Sequence, residues 1–516
     1  MMKFSQYLLI FLCFVPLLLF RDFTPNNELK YLSIADEAIR DGHFFAFWNH
    51  GTAYADKPPL YLWIVMLGKW LLGTHSMFFI GLFSLLPAIG ILRVMDKWVG
   101  NALPASLRVS GQLMLITSGL FVGSAIVIRM DMLMCLFIVL SLYTFYKMYT
   151  STGKARDSIL FPVYIFLAVF TKGPVGILVP LISIPVFLFL QGKIRTLGKY
   201  FGGKQWGILI GLCLIWFGAV YLEGGKSYLN NLLFHQTVNR AIDSFHHKAP
   251  VWYYLKTIWY SLAPWILLYL TAIVLGIRKK LINTDLKKLF LTVIATTFIA
   301  LSLFSGKLDI YMLPIFPFIA YLAFLLIPEL EEKSLRFAIA IPAGILLLAF
   351  PTLFIIAQYL PSLHLLLNIK TIPIAAAVLS IASAFSLYFL WKKSILRSAN
   401  GIATGTLLAI LICSVSISRL NLYIGFREIC QKAQTIAHEN DIEKFYFYKF
   451  RSGENMDVYL KTEIFPLDLS DQSFLSNKQK FILFVRQKDV KKEEKLEKFI
   501  KNKESYSIGD YNIIIF

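Results

Sequence analysis

The sequence has little charge for its length, and this shortage argues against an ordinary soluble protein. Only 16% of its 516 residues are Asp, Glu, Lys or Arg, whereas 57% are hydrophobic, and the mean hydropathy is +0.63. A soluble domain would carry about 25% charged residues. Several apolar runs reach or approach the roughly 20 residues that cross a bilayer. The composition therefore predicts a polytopic α-helical membrane protein.

Cysteine is scarce as well. Of the five cysteines, four lie inside apolar runs and one, Cys430, lies in a polar region. No CxxC spacing occurs. These facts argue against a disulfide framework and against a thiolate metal site.

Motifs that bind soluble nucleotides are also absent. The sequence has no GxGxxG, and "GGKS" at Gly224–Ser227 lacks the earlier glycine of a phosphate-binding loop. It also has no GxSxG nucleophile motif. We therefore expect no nucleotide cofactor and no soluble nucleotide donor. A lipid-linked donor that is reached from the membrane fits the sequence better.

Basic residues outnumber acidic ones, 51 to 31, which gives a formal net charge of +20. They recur in short clusters between apolar runs, as the positive-inside rule expects of cytoplasmic loops. This distribution favours contact with membrane lipids over binding to nucleic acid.

The hydrophobic pattern predicts thirteen membrane spans. No small-x-small cleavage site follows the first one, so it is interpreted as an uncleaved helix. The short segment 60–73 contains Lys69 and is predicted to lie in the membrane interface. If the N-terminus is cytoplasmic, every even-numbered connection is basic, and the other face is extracytoplasmic. The predicted spans are about 6–20, 76–95, 106–127, 130–149, 158–171, 173–191, 206–222, 254–277, 288–304, 308–327, 335–357, 371–391 and 402–420.

The composition changes near residue 426. Up to that point, residues 1–425 read as the membrane domain, with a first outer loop at 21–75. Beyond it, "KFYFYKF", "KFILFVR" and "YNIIIF" have the pattern of strands, separated by polar helical stretches. Residues 426–516 are therefore predicted to form a small extracytoplasmic α/β domain.

The outer connections bring an unusual set of polar side chains to one face. Ionisable groups at membrane depth are costly, so they usually mark a functional site. Their convergence from five connections predicts a catalytic or transport cleft. The set comprises Asn27, Glu28, Lys30, Asp36, Glu37, Arg40, Asp56 and Lys57; Arg129 and Asp131; Lys172; His235, Asn239, Arg240, His246 and His247; and Lys307, Asp309 and Tyr311.

These residue types fit a phosphate-bearing lipid substrate. Lysine and arginine hold phosphate as a point charge or a bidentate fork. A carboxylate can act as base on an acceptor hydroxyl, and a carboxylate with a histidine can bind one divalent cation. Structural alternatives remain open: an interfacial ion pair for Asp56–Lys57, a helix-end pair for Arg129–Asp131, and an ordinary loop lysine for Lys172.

The first outer loop resembles that of a known superfamily. "NELKYLSIADEAIRDGHFFAFWNHGTAYADKPPLYLW" is similar to the first periplasmic loop of the GT-C glycosyltransferases that include aminoarabinose transferases and protein mannosyltransferases. "FTKGPVGILVP", "HHKAPVWYY" and "SGKLDIYMLP" resemble later motifs in the same order. The resemblance implies a GT-C fold in a bacterial inner membrane. It also implies an inverting sugar transfer from a polyprenyl-phosphate donor, with the site and the C-terminal domain facing the periplasm.

The resemblance also implies roles for individual residues. Asp56 and His247 match the ligands of one divalent cation, either Zn or Mg/Mn. Lys57 matches the lysine that holds the donor phosphate, and Lys30 stands where an arginine is usual. The wider set expected to bind the donor phosphate is Lys57, Lys30, Arg129, Lys172, Lys307 and Arg240.

The residue that would act as the catalytic base has no direct match in this chain. The leading aspartate of the family is Asn27 in this chain, and a neutral amide cannot serve as a base. The resemblance therefore leaves that role to Glu28 or Asp131. The pair Asp36–Glu37 aligns with the middle of the loop and is interpreted as part of a helix face.

Several functions remain open at this point. The resemblance implies lipid A phosphate as the leading acceptor, and the nearest alternative is a protein mannosyltransferase that acts on Ser or Thr. A transporter or flippase of lipid-linked sugars would be expected to carry internal repeats and midplane charges, which the sequence lacks. A non-catalytic assembly or receptor protein is the third class. The sequence makes no prediction of the oligomeric state.

Overall fold

Apolar helices make up most of the chain. The computed structural model describes residues 4–234, 248–360, 364–469 and 480–516. Within these ranges, seven single helices are long and apolar enough to cross a membrane, or up to eleven spans if each of four bent pairs counts as one. The helices up to residue 424 are Phe4–Phe20, Lys30–Asp41, Pro59–Leu72, Met77–Trp98, Ala105–Ile116, Gly119–Ile126, Asp131–Tyr149, Asp157–Lys172, Val175–Leu190, Leu197–Tyr200, Gly203–Asn230, Tyr253–Ser261, Ile266–Arg278, Asp285–Leu303, Phe316–Leu326, Glu332–Leu347, Ala349–Tyr359, His364–Asn368, Thr371–Trp391, Ile395–Val415 and Asn421–Ile424.

Shorter helical turns connect these elements. Pro25–Leu29 is a π-helix at the start of the first outer loop. A helix is present at the predicted segment 60–73, as Pro59–Leu72, and its place in the membrane interface stays a prediction. The 3₁₀ turns in the same part of the chain are Ile194–Thr196, Asp309–Ile315, Ile327–Glu329 and Ile417–Leu420.

Some predicted spans are broken rather than continuous. The span expected at 106–127 consists of two helices bent by 69°, and the one expected at 254–277 is bent by 119°. Pro264 lies in the second break, where it has no N–H to continue a helix. The two breaks meet, because the Gly119 N–H donates to the Ala263 carbonyl at 2.9 Å. A Cβ on Gly119 would lie 2.8 Å from the Tyr260 carbonyl oxygen, so this contact requires glycine.

One helix forms the centre of the bundle. Phe316–Leu326 is buried at all eleven positions. It packs against Ala105–Ile116, Ile266–Arg278 and Asp285–Leu303. A helix that is apolar on all sides is stable only when it is surrounded, as here. The thirteen-span count stays a prediction.

The first outer loop contains a short hairpin between its two helices. Strands β1 (Trp48–Asn49) and β2 (Thr52–Ala53) pair antiparallel, with Trp48 opposite Ala53. The two connecting residues, His50 and Gly51, both have positive φ, 52° and 72°. This is the geometry that two-residue hairpin turns need.

The C-terminal region is a small α/β unit built on a mixed sheet, as the sequence predicts. Its strands are β3 (Lys444–Phe447), β4 (Ile464–Pro466), β5 (Phe481–Arg486), β6 (Ser505–Ile508) and β7 (Tyr511–Ile515). Their order is β4-β3-β5-β7-β6, with β3 parallel to β4 and β5 and with antiparallel pairs β5–β7 and β6–β7. The accompanying helices are Arg427–Asn440, Asp457–Leu460, Gln487–Val490 and Glu494–Ile500, with a 3₁₀ turn at Gly453–Met456.

This unit packs on the first outer loop. One buried apolar cluster contains Leu32 and Tyr61 of the loop together with Ile429 and Phe484 of the C-terminal region. The loop is therefore held between the membrane helices and the C-terminal sheet.

Candidate active site

Asp56 and Lys57 stand at the entrance of the helix Pro59–Leu72. Pro58 is extended, with φ −66° and ψ 161°, and Pro59 starts the helix, as proline at a first helical position does well. Lys57 Nζ lies 2.6 Å from Asp56 Oδ2, and their side chains are 20% and 22% exposed. The prolines thus fix a partly open ion pair at a defined point of the loop.

Lys30 belongs to the same group. Its ammonium lies 4.7 Å from the centre of the Tyr54 ring, within cation–π range. Burial lowers the pKa of Lys30, while the carboxylates of Asp56 and Glu454 act in the opposite direction. The cation of Lys57 adds to the lowering. Two lysines therefore share one electrostatic neighbourhood with Asp56.

A second charged group joins two other connections. The Asp131 carboxylate receives Lys172 Nζ on one oxygen and Arg129 Nε, at 3.1 Å, on the other. Asp131 begins the helix Asp131–Tyr149, and Lys172 ends Asp157–Lys172 at a turn where Gly173 has φ 96°. The side chain of Asp131 is 1% exposed, that of Lys172 7%, and that of Arg129 28%. Arg129 is therefore the more accessible cation of the group.

Tyrosines lie between these two groups. Burial raises the pKa of Tyr31, and the charges of Arg129, Asp131 and Asp56 all act on its hydroxyl. The ammonium of Lys172 lies 4.7 Å from the centre of the Tyr311 ring. The structure thus brings together predicted residues from four outer connections, around a pair of aromatic rings.

The surroundings of Glu28 do not suit the role of base that the sequence predicts for it. Its carboxylate accepts two hydrogen bonds from Arg21, at 2.6 and 2.8 Å, and one each from the Thr24 and Ile128 N–H groups. Glu28 is fully buried. A carboxylate with both oxygens occupied by donors is poorly available for a proton, so this placement speaks for a structural role. Asn27, the adjacent residue, is exposed.

Asp36 and Glu37 also make structural contacts, in agreement with the helix-face interpretation. Asp36 accepts from Lys69 at 2.5 Å and from His75 at 2.6 Å. Burial alone would raise the pKa of Asp36, but His75 and Lys69 hold it below the usual value. Glu37 accepts the N–H groups of the β1–β2 turn at 2.6 and 2.9 Å.

The placement of Lys307 speaks against the phosphate contact predicted for it. Its side chain is buried, and its ammonium donates to the carbonyls of Ala249 and Phe304. The neighbouring Asp309 accepts hydrogen bonds from the hydroxyls of Tyr253, at 2.8 Å, and Tyr260, at 2.7 Å. These contacts hold the connection 304–311 against the helix Tyr253–Ser261.

Two predicted residues, Arg240 and His247, lie outside the described residues, as do His235, Asn239 and His246. In the described part of the chain no three His, Cys, Asp or Glu side chains form a group that fits a metal ion. Asp56, the other predicted ligand, has Oδ2 bonded to Lys57. The described donor set is thus one carboxylate, and the divalent cation stays a prediction.

Two supporting residues escape notice in the sequence. Glu223 accepts the N–H groups of Phe44 and Phe45 at 2.7 and 2.9 Å. Tyr228 donates its hydroxyl hydrogen to the Tyr54 carbonyl at 2.7 Å. Together they fix the loop just before Asp56. The available signal is Glu223 itself, a lone acid directly after the apolar run 206–222.

Known proteins resemble this chain over more than half of its length. No family model matches it. It is 26% identical over 302 residues to the undecaprenyl phosphate-alpha-4-amino-4-deoxy-L-arabinose arabinosyl transferase of Edwardsiella ictaluri. The matched region covers 57% of this chain and 54% of the relative. The protein of the same name from Serratia proteamaculans is 24% identical over 299 residues, 56% of this chain and 52% of that one. The chain thus matches about half the length of these curated relatives.

Solved structures resemble it over nearly its whole length. The crystal structure of ArnT from Cupriavidus metallidurans bound to undecaprenyl phosphate covers 99% of this chain and 97% of its own, with a TM-score of 0.78 and 16% identity. The apo form of the same protein gives a TM-score of 0.75 and 17% identity over the same shares. The predicted GT-C fold is thereby confirmed, and the chain is a multi-pass membrane protein.

Proposed function

We propose that this chain is an integral membrane glycosyltransferase that transfers a sugar from a polyprenyl-phosphate donor to an acceptor in the bacterial envelope, with lipid A as the first acceptor. The observation that carries the proposal is the meeting of two charged groups, the pair Asp56–Lys57 and the group of Asp131 with Arg129 and Lys172, because charges of both groups act on Tyr31. Its support is the fold, shared with a transferase that binds undecaprenyl phosphate, and the names of the relatives.

The reaction follows from the charges. An acceptor oxygen forms a bond to the anomeric carbon as the bond from that carbon to the phosphate oxygen breaks, and polyprenyl phosphate leaves. Negative charge grows on the leaving phosphate, and pre-positioned cations stabilise it. Lys57 and Arg129 are partly exposed cations that fit this task. Asp131 orients Arg129 by accepting from its Nε.

The need for a base depends on the acceptor. A phosphate acceptor is already anionic and requires none, whereas a hydroxyl acceptor must lose a proton. Asp56 is the partly exposed carboxylate of the group, so we assign proton acceptance to Asp56 when the acceptor is a hydroxyl. With a phosphate acceptor, which needs no base, Asp56 would instead hold a divalent cation together with His247; the cation would stabilise further charge on the phosphate, and chelation by EDTA tests for it.

The orientation belongs to the same proposal. We place the site and the C-terminal unit on the periplasmic side of the inner membrane. Residues of connections predicted to be cytoplasmic contact one another: Tyr149 with Asp285 at 3.0 Å, and Gln191 with Asp285 at 2.6 Å. This agreement supports one side of the membrane for these three connections.

The test is mass spectrometry of lipid A and of total glycoproteins from four strains: wild type, a deletion, K57A and K97A. Lys97 is an exposed lysine near the end of the helix Met77–Trp98, away from the described site, and serves as the matched control. Loss of one lipid A sugar in the deletion and in K57A, but not in K97A, supports the proposal. Loss from glycoproteins instead identifies a protein acceptor. Unchanged glycans in the deletion strain contradict the proposal.

A further inference from the structure

A segment of the C-terminal unit lies directly against the start of the first outer loop. Ser452 Oγ donates to Asn26 Oδ1 at 2.8 Å, and Asn455 Nδ2 donates to the Pro25 carbonyl at 3.2 Å. Ser452 is 7% exposed and Asn455 is fully buried. Buried polar side chains are nearly always hydrogen-bonded, so these bonds define one docked position.

The backbone around this contact is held firmly. Phe450 and Met456, at its two ends, are buried in the same apolar cluster as the first outer loop. Gly453 has no room for a side chain, since a Cβ there would lie 2.4 Å from a ring carbon of Phe447. Arg451 therefore projects from a fixed backbone between two buried neighbours.

Arg451 itself is exposed. Among the described residues, no carboxylate lies within ion-pair distance of its guanidinium. The segment that carries Arg451 is bonded to Asn26 and Pro25, which lie four and five residues before Lys30. Burial is the main cause of the lowered pKa of Lys30, and the charges of Lys57 and Arg451 add to the lowering. Asp56 is already bonded to Lys57.

We propose that Arg451 is a phosphate-binding residue that the C-terminal unit supplies to the transfer site, beside Lys30 and Lys57. A guanidinium binds phosphate oxygens in a bidentate manner that lysine does not reproduce. A rigid backbone limits the entropy lost when such a contact forms. This inference rests on the proposed function, in which both the donor and a lipid A acceptor carry phosphate.

The test uses the full-length protein and its variants R451A, R451K and K495A. Lys495 is an exposed lysine in the helix Glu494–Ile500 and is the control for loss of one positive charge. Transfer is measured while the donor and then the acceptor concentration is varied. We expect R451A to raise the KM for one of them about tenfold or more, as for loss of a charged hydrogen bond, while R451K recovers part of the loss.

The substrate with the raised KM identifies the source of the phosphate, and either result supports the inference. Thermal unfolding of R451A should equal that of wild type, since the side chain is exposed. Unchanged KM values for both substrates, relative to K495A, would overturn the assignment.

A second readout separates this inference from the proposed function. Binding of undecaprenyl phosphate and of lipid A to the purified protein is measured without any transfer. Weaker binding of either probe to R451A than to K495A supports the phosphate site even if no sugar is transferred. Equal binding of both probes, or no binding by the wild-type protein, overturns it.

Discussion

The two ends of the helical bundle both carry charge, but they arrange it differently. At the end with the first outer loop, Asp131 pairs with Arg129 and with Lys172, which belong to separate connections. The charges of Arg129, Asp131 and Asp56 all act on the Tyr31 hydroxyl. At the opposite end, the ion pairs among the described residues each join one acid to one base, such as Lys279–Glu331 at 2.6 Å, whose side chains are 42% and 76% exposed.

The difference illustrates two reasons for which charged residues occur in a membrane protein. Basic residues that set orientation need only remain in water near the membrane surface. Such exposed pairs contribute little to stability, about 0–1 kcal/mol. A group that converges from several connections and buries its carboxylate is costly unless it is paired, so its presence points to a functional demand.

The largest expected effect compares two buried aspartates, one at each end. Asp131 pairs with Lys172, and Asp157 pairs with Lys147 at 2.7 Å with its own side chain 2% exposed. We expect D131N to lower transfer by roughly 100-fold or more, because Arg129 loses the partner that orients it. D157N should leave transfer per folded protein within about threefold while lowering stability.

The measurement is the initial transfer rate divided by the amount of monodisperse protein after size-exclusion chromatography. Equal specific activities for D131N and D157N would show that the convergence at the outer end is structural, like the pairs at the other end.

The next effect concerns stability and tests the role of Glu28. In E28Q the buried guanidinium of Arg21 loses its charged partner, which costs about 3–5 kcal/mol when one member of a buried pair is removed. The exposed Glu331 at the opposite end is the matched control, and E331Q should change the free energy of unfolding by less than about 1 kcal/mol.

Two measurements check this prediction: the thermal unfolding of each variant in detergent, and the transfer rate of the protein that remains folded. Loss of transfer in E28Q with unchanged stability would restore Glu28 as the base and remove the structural interpretation.

Much of the fold could be predicted from the sequence, because long apolar runs and basic clusters are local signals. The helix at Pro59–Leu72 and the C-terminal sheet follow from such patterns. The bends at Thr117 and Pro264 do not, since each depends on the contact between Gly119 and Ala263 from distant parts of the chain.

The candidate site was predictable only in part for the same reason. That Lys57, Arg129 and Lys172 share one face follows from topology. Which carboxylates stay available does not, because the bonds of Glu28 come from Arg21 before it and from Ile128, one hundred residues later. The sequence around Arg451 contains no pattern that indicates a role in the site, since the position of Arg451 depends on how the C-terminal unit docks.

A smaller effect follows from Asp457, which accepts from Ser33 Oγ at 2.7 Å and lies 3.8 Å from His50 Nδ1. Burial raises the pKa of Asp457 from 3.8 to about 6. A carboxyl with a raised folded-state pKa favours folding below pH 3.8, and this contribution is lost as the pH rises through about 6. The wild-type protein should therefore lose up to about 2 kcal/mol of stability between pH 4 and pH 7 at this site.

D457N removes this titration, so the difference in unfolding temperature between wild type and D457N should grow from pH 5 to pH 7.5, with the variant more stable at the higher pH. E331Q, which changes an exposed carboxylate, serves again as the control. An equal difference at both pH values would show that Asp457 is ionised throughout.

The smallest effect is expected at Asn27, an uncharged residue of the first outer loop. Asn27 is exposed beside the anchored Asn26, so N27D should change transfer by no more than about twofold, as for surface substitutions in general. D36N is its counterpart within the same loop: because Asp36 holds Lys69 and His75, the variant should lower stability by about 1–3 kcal/mol and leave specific transfer intact. If D36N instead abolishes transfer in folded protein while N27D changes nothing, the catalytic acid belongs to the helix Lys30–Asp41. The charged group around Tyr31 would then bind substrate without performing the chemistry.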